Sequence, residues 1–180
     1  MKGGSRIAAF DESFSGNDKE GIVIGIIGRR GVVEGAISFN VSVDGNDATS
    51  KLISSIKKSR FNSQVRLIAL NGITFTGLNI IDIAALRDKL HLPIIAITRH
   101  RPRRSLLRLA MKKRGSKEGI AIFERIAPVI SIRKSSAYYV QTISDDYDRS
   151  KALIDEAASL LRLAHIVASG IRHGESRGRL

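Results

Sequence analysis

The chain has 180 residues, 43% of them hydrophobic, a formal net charge of +13 and no cysteine. A chain of that length buries roughly 70% of its unfolded surface, so one domain spanning 1–180 is expected. The absence of Cys excludes a disulfide framework, a thiolate zinc centre and a cysteine nucleophile. The N-terminal MKGGSRIAAFDESF has too short an apolar run for a signal peptide, and no stretch approaches the ~20 apolar residues of a membrane span. A cytoplasmic protein with no membrane partner is expected.

The N-terminal third reads as strands. Ile7 to Phe10 is a short apolar run, Gly21 to Gly28 (GIVIGIIG) is β-branched and bounded by glycine, and Val33 to Val43 alternates through Ile37, Phe39 and Val41. Arg29, Arg30 and Gly31 form the hairpin turn between the second and third. From Asp47 the period becomes helical through Ala48, Leu52, Ile53 and Ile56, with Asn46 or Asp47 as N-cap and Lys57, Lys58 and Arg60 at the negative end of the dipole.

Val65 to Leu70 is a continuous apolar strand, Asn79 to Leu90 a helix, and Leu92 to Thr98 another buried strand. A basic helix over Ser105 to Arg114, a short helix over Glu118 to Ile126, strands near Val129 to Ile132 and Tyr138 to Thr142, and helix from about Asp146 to Ser169 complete the chain. Three strands with tight connections followed by alternating helices and parallel strands is the order of a ribonuclease H-like fold, an α/β mixed sheet with flanking helices. If the first three strands form a meander and the strand ending at Leu70 lies parallel beside the first, then Asp11, the Asp44 to Asp47 segment and Asn71 meet at one carboxyl edge.

Metal-assisted phosphodiester hydrolysis needs hard, charged oxygen ligands, and acids arriving from several strand ends supply them. Asp11, Asp44 and Asp47 are the candidate acids and Asn71 a neutral third contact, although an acid after a strand also serves as a turn or cap residue. VDGND is a good turn, and capping accounts for Asp47. Glu12 points away from Asp11 and reads as a surface residue. His165, within an apolar helix, reads as a core or interface histidine.

From Arg99 to Lys117 the sequence RHRPRRSLLRLAMKKRGSK contains no Asp or Glu. Such a block attracts phosphate through counterion release. Arg99, Arg101, Arg103, Arg104, Lys112 and Lys113 are therefore candidate nucleic-acid contacts, for DNA or RNA, and Arg177 in the tail HGESRGRL is another. No G-x-S-x-G elbow or G-x-x-x-x-G-K loop is present.

The segments AAFDESF, VSVDGNDAT, LNGITFTGLNIID, LPIIAITRHRP and LRLAHIVASGI followed by GESRG, in this order, resemble the archaeal DUF99 proteins. That family, also termed UPF0215 and in part endonuclease dU, is related to endonuclease V, and the resemblance spans nearly the whole chain. It implies an endonuclease V-like variant of the ribonuclease H fold, with Asp11, Asp44 and Asn71 near Mg²⁺ or Mn²⁺. It further implies cleavage of DNA containing a deaminated base such as deoxyuridine. The small-residue loop with Gly72 and Thr74 then suits close approach by a base or sugar-phosphate. One departure stands out: the family usually shows Asp-Gly where this chain has Asn71-Gly72. A neutral amide weakens a cation site, so a nucleic-acid-binding protein that kept the fold with weakened or no catalysis is the alternative.

Overall fold

The computed structural model describes residues 4–143 and 145–176. Strands β1 (Arg6–Ser13), β2 (Glu20–Arg29) and β3 (Val32–Ser42) form the expected meander, and helix α1 (Ala48–Lys58) follows. Next come β4 (Val65–Asn71), a hairpin of β5 (Thr74–Phe75) and β6 (Asn79–Ile80), helix α2 (Ile83–Leu90) and β7 (Ile94–Thr98). Helices α3 (Arg104–Arg114) and α4 (Lys117–Ile126) lead to β8 (Ile130–Ser135) and β9 (Tyr138–Ile143). Helix α5 (Asp146–Ser150), a 3₁₀ turn (Lys151–Leu153) and the long helix α6 (Ile154–His173) close the chain.

Seven strands form one sheet in the order β3-β2-β1-β4-β7-β9-β8. β1 is antiparallel to β2 and β2 to β3, so β3 runs with β1; β4 lies parallel to β1, and β7 parallel to β4. The ends of β1, β3, β4 and β7 therefore share one edge, as the order of elements predicts. β1 and β4 are buried on both faces: Ile7 to Phe10 and Leu67 to Leu70 have no exposed surface. That double burial explains why these strands are continuous apolar runs rather than alternating ones.

Each face has its own core. Ala8, Phe10, Ile68 and Leu70 pack with α1 through Leu52 and Ile56, with α2 through Ile83 and Leu86, and with Met111 and Phe123 of α3 and α4. On the other face Ile7, Ala9, Leu67 and Ala69 meet Ile154, Ala157, Leu161, Ala164 and Ala168, which fall at helical spacing along α6. Gly25 of β2 lies against the ring of Phe10, where a Cβ would collide, so glycine there lets a large aromatic fill the centre of the first core.

The expected helix from Asn79 to Leu90 begins later. Asn79 and Ile80 pair in the small hairpin, and Asp82 caps α2 by accepting the Ala85 amide at 3.0 Å. Among the described residues, no helix is long and apolar enough to cross a membrane.

Candidate functional site at the carboxyl edge of the sheet

β1 delivers Asp11 to the face covered by α6, because side chains alternate and Ile7 and Ala9 occupy that face. Its pairing with β4 ends at Phe10 and Leu70, so Asp11 and Asn71 are the next residues of two adjacent parallel strands. Their side chains touch: Asn71 Nδ2 donates to Asp11 Oδ2 at 3.0 Å. The Glu12 backbone N–H donates to Asp11 Oδ1 at 2.8 Å, and His165 Nδ1 of α6 lies 3.2 Å from Oδ2. The hydrogen bond to Asp11 raises the pKa of His165, which favours an imidazolium beside the carboxylate. Asp11 is only 4% exposed, whereas Asn71 is exposed.

Glu12 leaves the opposite face, as alternation requires, but it is not a surface residue. It is mostly buried, the Thr76 backbone lies near enough to favour its charged form, and its Oε2 is buried with no hydrogen-bond partner among the described residues. Burial, followed by the neighbouring Asp11 charge, pushes its pKa up to about 7, against the opposing pull of the Thr76 amide and His165.

Asp44 and Asp47 stand at the same edge, yet other partners hold them. Asp44, at φ 53°, donates its backbone N–H to the Thr76 carbonyl at 2.9 Å, and its Oδ1 accepts the Leu78 amide at 2.9 Å. Its Oδ2 lies 3.4 Å from Arg114 at the end of α3. Gly77, at φ 84°, packs so close to the Asp44 carboxylate that a Cβ would collide with it.

Asp47 occupies the N-cap position of α1 without capping through its side chain. Instead it accepts the Ser42 amide at 3.1 Å, the Ser42 hydroxyl at 2.9 Å and Asn79 Nδ2 at 2.6 Å, and it pairs with Lys51 at 2.8 Å. Burial opposes its ionisation, but the bonds from Lys51, Asn79 and Ser42 outweigh burial and hold its pKa at about 2. Asn79 Oδ1 accepts the Ala48 amide at 3.1 Å and so supplies the α1 cap that Asn46 or Asp47 was expected to provide. The two aspartates thus fasten the turn between β3 and α1 onto the β5–β6 hairpin, and they do not join Asp11. Among the described residues, no group of three or more His, Asp and Glu side chains forms a ready metal cage.

The basic segment borders this edge. Ile97 of β7 pairs with Asn71, so Arg99 emerges beside the site, and α3 ends near Asp44 through Arg114. Arg99, Arg101, Arg103, Lys112 and Lys113 are exposed. Arg104 is different: its guanidinium donates to the backbone carbonyls of Ala127 and Ile130, which makes it a brace between α3 and the start of β8. Gly72, at φ 83°, lies in the turn after β4 and Thr74 opens β5, both partly buried. Arg177 lies outside the described residues.

His165 and Glu12 are the two residues near Asp11 that the sequence pattern assigns elsewhere. The spacing of Leu161, Ala164 and Ala168 around His165 is the signal for its face, since those residues line the α6 face that covers β1.

The geometry matches known proteins. A family model described as endonuclease dU matches residues 3–172. A UPF0215 protein of Methanothermobacter thermautotrophicus is 32% identical over 99% of this chain and 93% of its own length. The crystal structure of an Archaeoglobus fulgidus protein of unknown function superposes with a TM-score of 0.84 at 29% identity, covering 94% of this chain and 99% of that one. Human endonuclease V shares the fold, with a TM-score of 0.56 at 10% identity over 94% of this chain and 84% of that one. So does Ciona intestinalis endonuclease V in complex with a DNA containing inosine, with a TM-score of 0.51 at 12% identity over 86% and 77% of the two chains. The fold is thus the ribonuclease H-like, endonuclease V-like one expected from the order of elements, and the chain belongs to the endonuclease dU family.

Proposed function

We propose that this chain is a metal-dependent endonuclease that cuts nucleic acid at the carboxyl edge of its sheet, with DNA containing a deaminated base such as deoxyuridine as substrate. One observation carries the reading: Asp11, buried at the end of β1, is held between Asn71 and His165 beside an exposed basic segment. Family membership supports a nuclease, and the inosine-containing DNA bound by Ciona endonuclease V supports a nucleic-acid partner.

The donor set suits Mg²⁺ or Mn²⁺. The Asp11 carboxylate and the Asn71 amide oxygen are hard donors, and Mg²⁺ commonly takes only one or two carboxylates while keeping waters and substrate phosphate. When bound, such an ion acidifies a water and neutralises charge developing on phosphate.

The protein supplies the rest. Asn71 and the Glu12 amide fix the Asp11 carboxylate, and His165 presents a proton at Nδ1 next to it. Gly72 and Thr74 leave room for a nucleotide after β4, and Arg99, Arg101, Arg103, Lys112 and Lys113 attract the phosphate backbone.

The test is a nicking assay with Mg²⁺ or Mn²⁺ on uracil-containing, inosine-containing and undamaged strands. Nicking of the deaminated strands, lost on chelation and in Asp11→Ala, is expected; cleavage unchanged by Asp11→Ala sinks the assignment. A second reading follows from Asn71, whose neutral amide is already spent on Asp11: a nucleic-acid-binding protein of the same fold without catalysis. It requires tight binding at low salt, no specific metal site and no effect of Asp11→Ala.

A further inference from the structure

We propose that the outward face of α3 is a wedge for nucleic acid, on which Leu106 and Leu109 press against two adjacent unstacked bases while the surrounding cations hold the phosphates. This rests on the reading above that the carboxyl edge meets nucleic acid, and it names the feature recognised: a point where base stacking is broken, in a mispaired or single-stranded segment.

The inner half of α3 is given over to the fold. Met111 is buried and Leu107 packs against the first core, Arg104 donates to the carbonyls of Ala127 and Ile130, and Arg108 pairs with Glu124 of α4. On the outer half Leu106 is 52% exposed and Leu109 49%, and they stand one turn apart, with Lys113 a further turn along the same face. Arg101, Arg103, Lys112 and Lys113 are exposed and form no ion pair among the described residues, and no acid interrupts the sequence from Arg99 to Lys117. A lone exposed leucine is ordinary, but an apolar pair bordered by charge of a single sign marks a contact surface.

Charge and spacing select the occupant. Phosphates match the cationic rim, and residues three apart on a helix are separated by about 4.5 Å of rise, little more than the roughly 3.4 Å between successive bases of one strand. The two leucines therefore meet neighbouring bases. In an intact duplex the faces of those bases are covered by stacking; they open where a base is mispaired or unpaired, and apolar side chains inserted there offset the lost stacking. A base mispaired by deamination provides such a point whatever its own functional groups. The helix also stands in the right place. The segment that leads into it leaves β7 beside Asn71, and the helix ends with Arg114 3.4 Å from Asp44. That placement favours nucleic acid over an anionic lipid surface, which would suit the same residue types.

The experiment measures binding in EDTA at fixed low salt, so that cleavage plays no part, on a matched duplex, a duplex with one uracil–guanine mispair and a single strand. Anisotropy gives affinity, and a fluorescent aminopurine beside the mispair reports unstacking. The wild-type chain is expected to bind the mispaired duplex and the single strand about fivefold more tightly than the matched duplex, with a rise in aminopurine emission. Leu106→Ser combined with Leu109→Ser is expected to lose the preference and the rise while holding matched-duplex affinity within about twofold. The two single variants, each expected to lose part of the preference, keep the test valid if the double variant folds poorly. Lys113→Ala is expected to weaken all three alike and leave their ratio unchanged. Equal binding of the three by the wild-type chain, or an undiminished preference in the leucine variants, overturns the inference and leaves the nuclease reading standing. So does binding to phosphatidylglycerol vesicles that the leucine variants lose while their mispair preference persists. No binding to any strand removes the nucleic-acid reading itself and this inference with it.

Discussion

Two buried aspartates stand at opposite edges of the sheet, and their surroundings differ in the balance of charge. Asp146, at the start of α5 beside the N-terminal end of β7, has no exposed surface; it accepts from Arg87 Nε at 3.1 Å and from the Ile94 amide at 3.2 Å, and lies 3.7 Å from Arg149. Two guanidinium groups and a backbone donor more than neutralise it. Asp11 is nearly as enclosed; it accepts the Glu12 backbone amide, the neutral Asn71 amide and a single imidazole that its charge favours as imidazolium, and the next residue is a second acid whose oxygen is orphaned. The first arrangement is self-sufficient and belongs to the architecture. The second sets two acids against one imidazole, and it lies at the edge where the proposed function places its cation and polyanion.

The contrast can be broken first at Asp146. Asp146→Ala leaves Arg87 and the Ile94 amide without their acceptor, and is expected to cost about 3–5 kcal/mol in urea unfolding with divalent-metal affinity unchanged. Asp11→Ala is expected to cost about 1 kcal/mol or less while abolishing Mn²⁺ binding. Equal stability losses at the two positions would erase the distinction.

Arg104→Ala follows, because two backbone carbonyls lose a charged donor; a loss of about 2 kcal/mol is expected, measured by chemical denaturation. Lys112→Ala and Lys113→Ala sit on the same helix, but they are expected to change stability by less than about 0.5 kcal/mol. Each should instead reduce the slope of log affinity against log salt by about 1 in a DNA-binding titration.

Asn71→Asp sharpens the comparison at the edge itself. The new carboxylate would face Asp11 where Nδ2 now donates at 3.0 Å, so both a hydrogen bond and electrical neutrality are lost. A destabilisation of about 1–2 kcal/mol without divalent cation, reversed by millimolar Mn²⁺ in a melting experiment, is expected. Persistence of the loss in Mn²⁺ would show that Asn71 serves the turn and not a cation.

Asp47 differs from these positions in that its contribution depends on pH. Its pKa falls from 3.8 to about 2 on folding, so its contribution is complete above the unfolded value and is lost as pH falls toward 2. Asp47→Asn is expected to make the acid-unfolding curve shallower in that window, as followed by circular dichroism. An unchanged acid limb would separate Asp47 from the brace it forms with Ser42 and Lys51.

Much of the frame was legible in the pattern of apolar residues. The meander, the parallel placement of β4 and the convergence of Asp11 with Asn71 follow from period and order, because strands buried on both faces leave long apolar runs. The β5–β6 hairpin was not legible: its strands have two residues each, too short to show a period, and Asn79 looks like the start of a helix until its side chain is seen bridging Asp47 and the Ala48 amide. Asp44 and Asp47 carry the residue type of a metal site in the right region. What decides their role is the set of donors brought to them from Leu78, Asn79 and Arg114, which only the folded chain reveals. Glu12 was misread for a simple reason: alternation says which face a side chain takes, but not whether a distant loop covers that face.

Helix α6 ties the two ends of the chain together, His165 reaching Asp11 and Arg172 reaching Asp18 across a separation of 154 residues. In time rather than space, the Asp11 site is therefore completed only once α6 has been made. While the chain is still leaving the ribosome, β1 through β4 can pair, but the imidazole that partners Asp11 is absent until α6 has been synthesised. Truncation anywhere before α6 would therefore leave a basic protein with an unfinished Asp11 site.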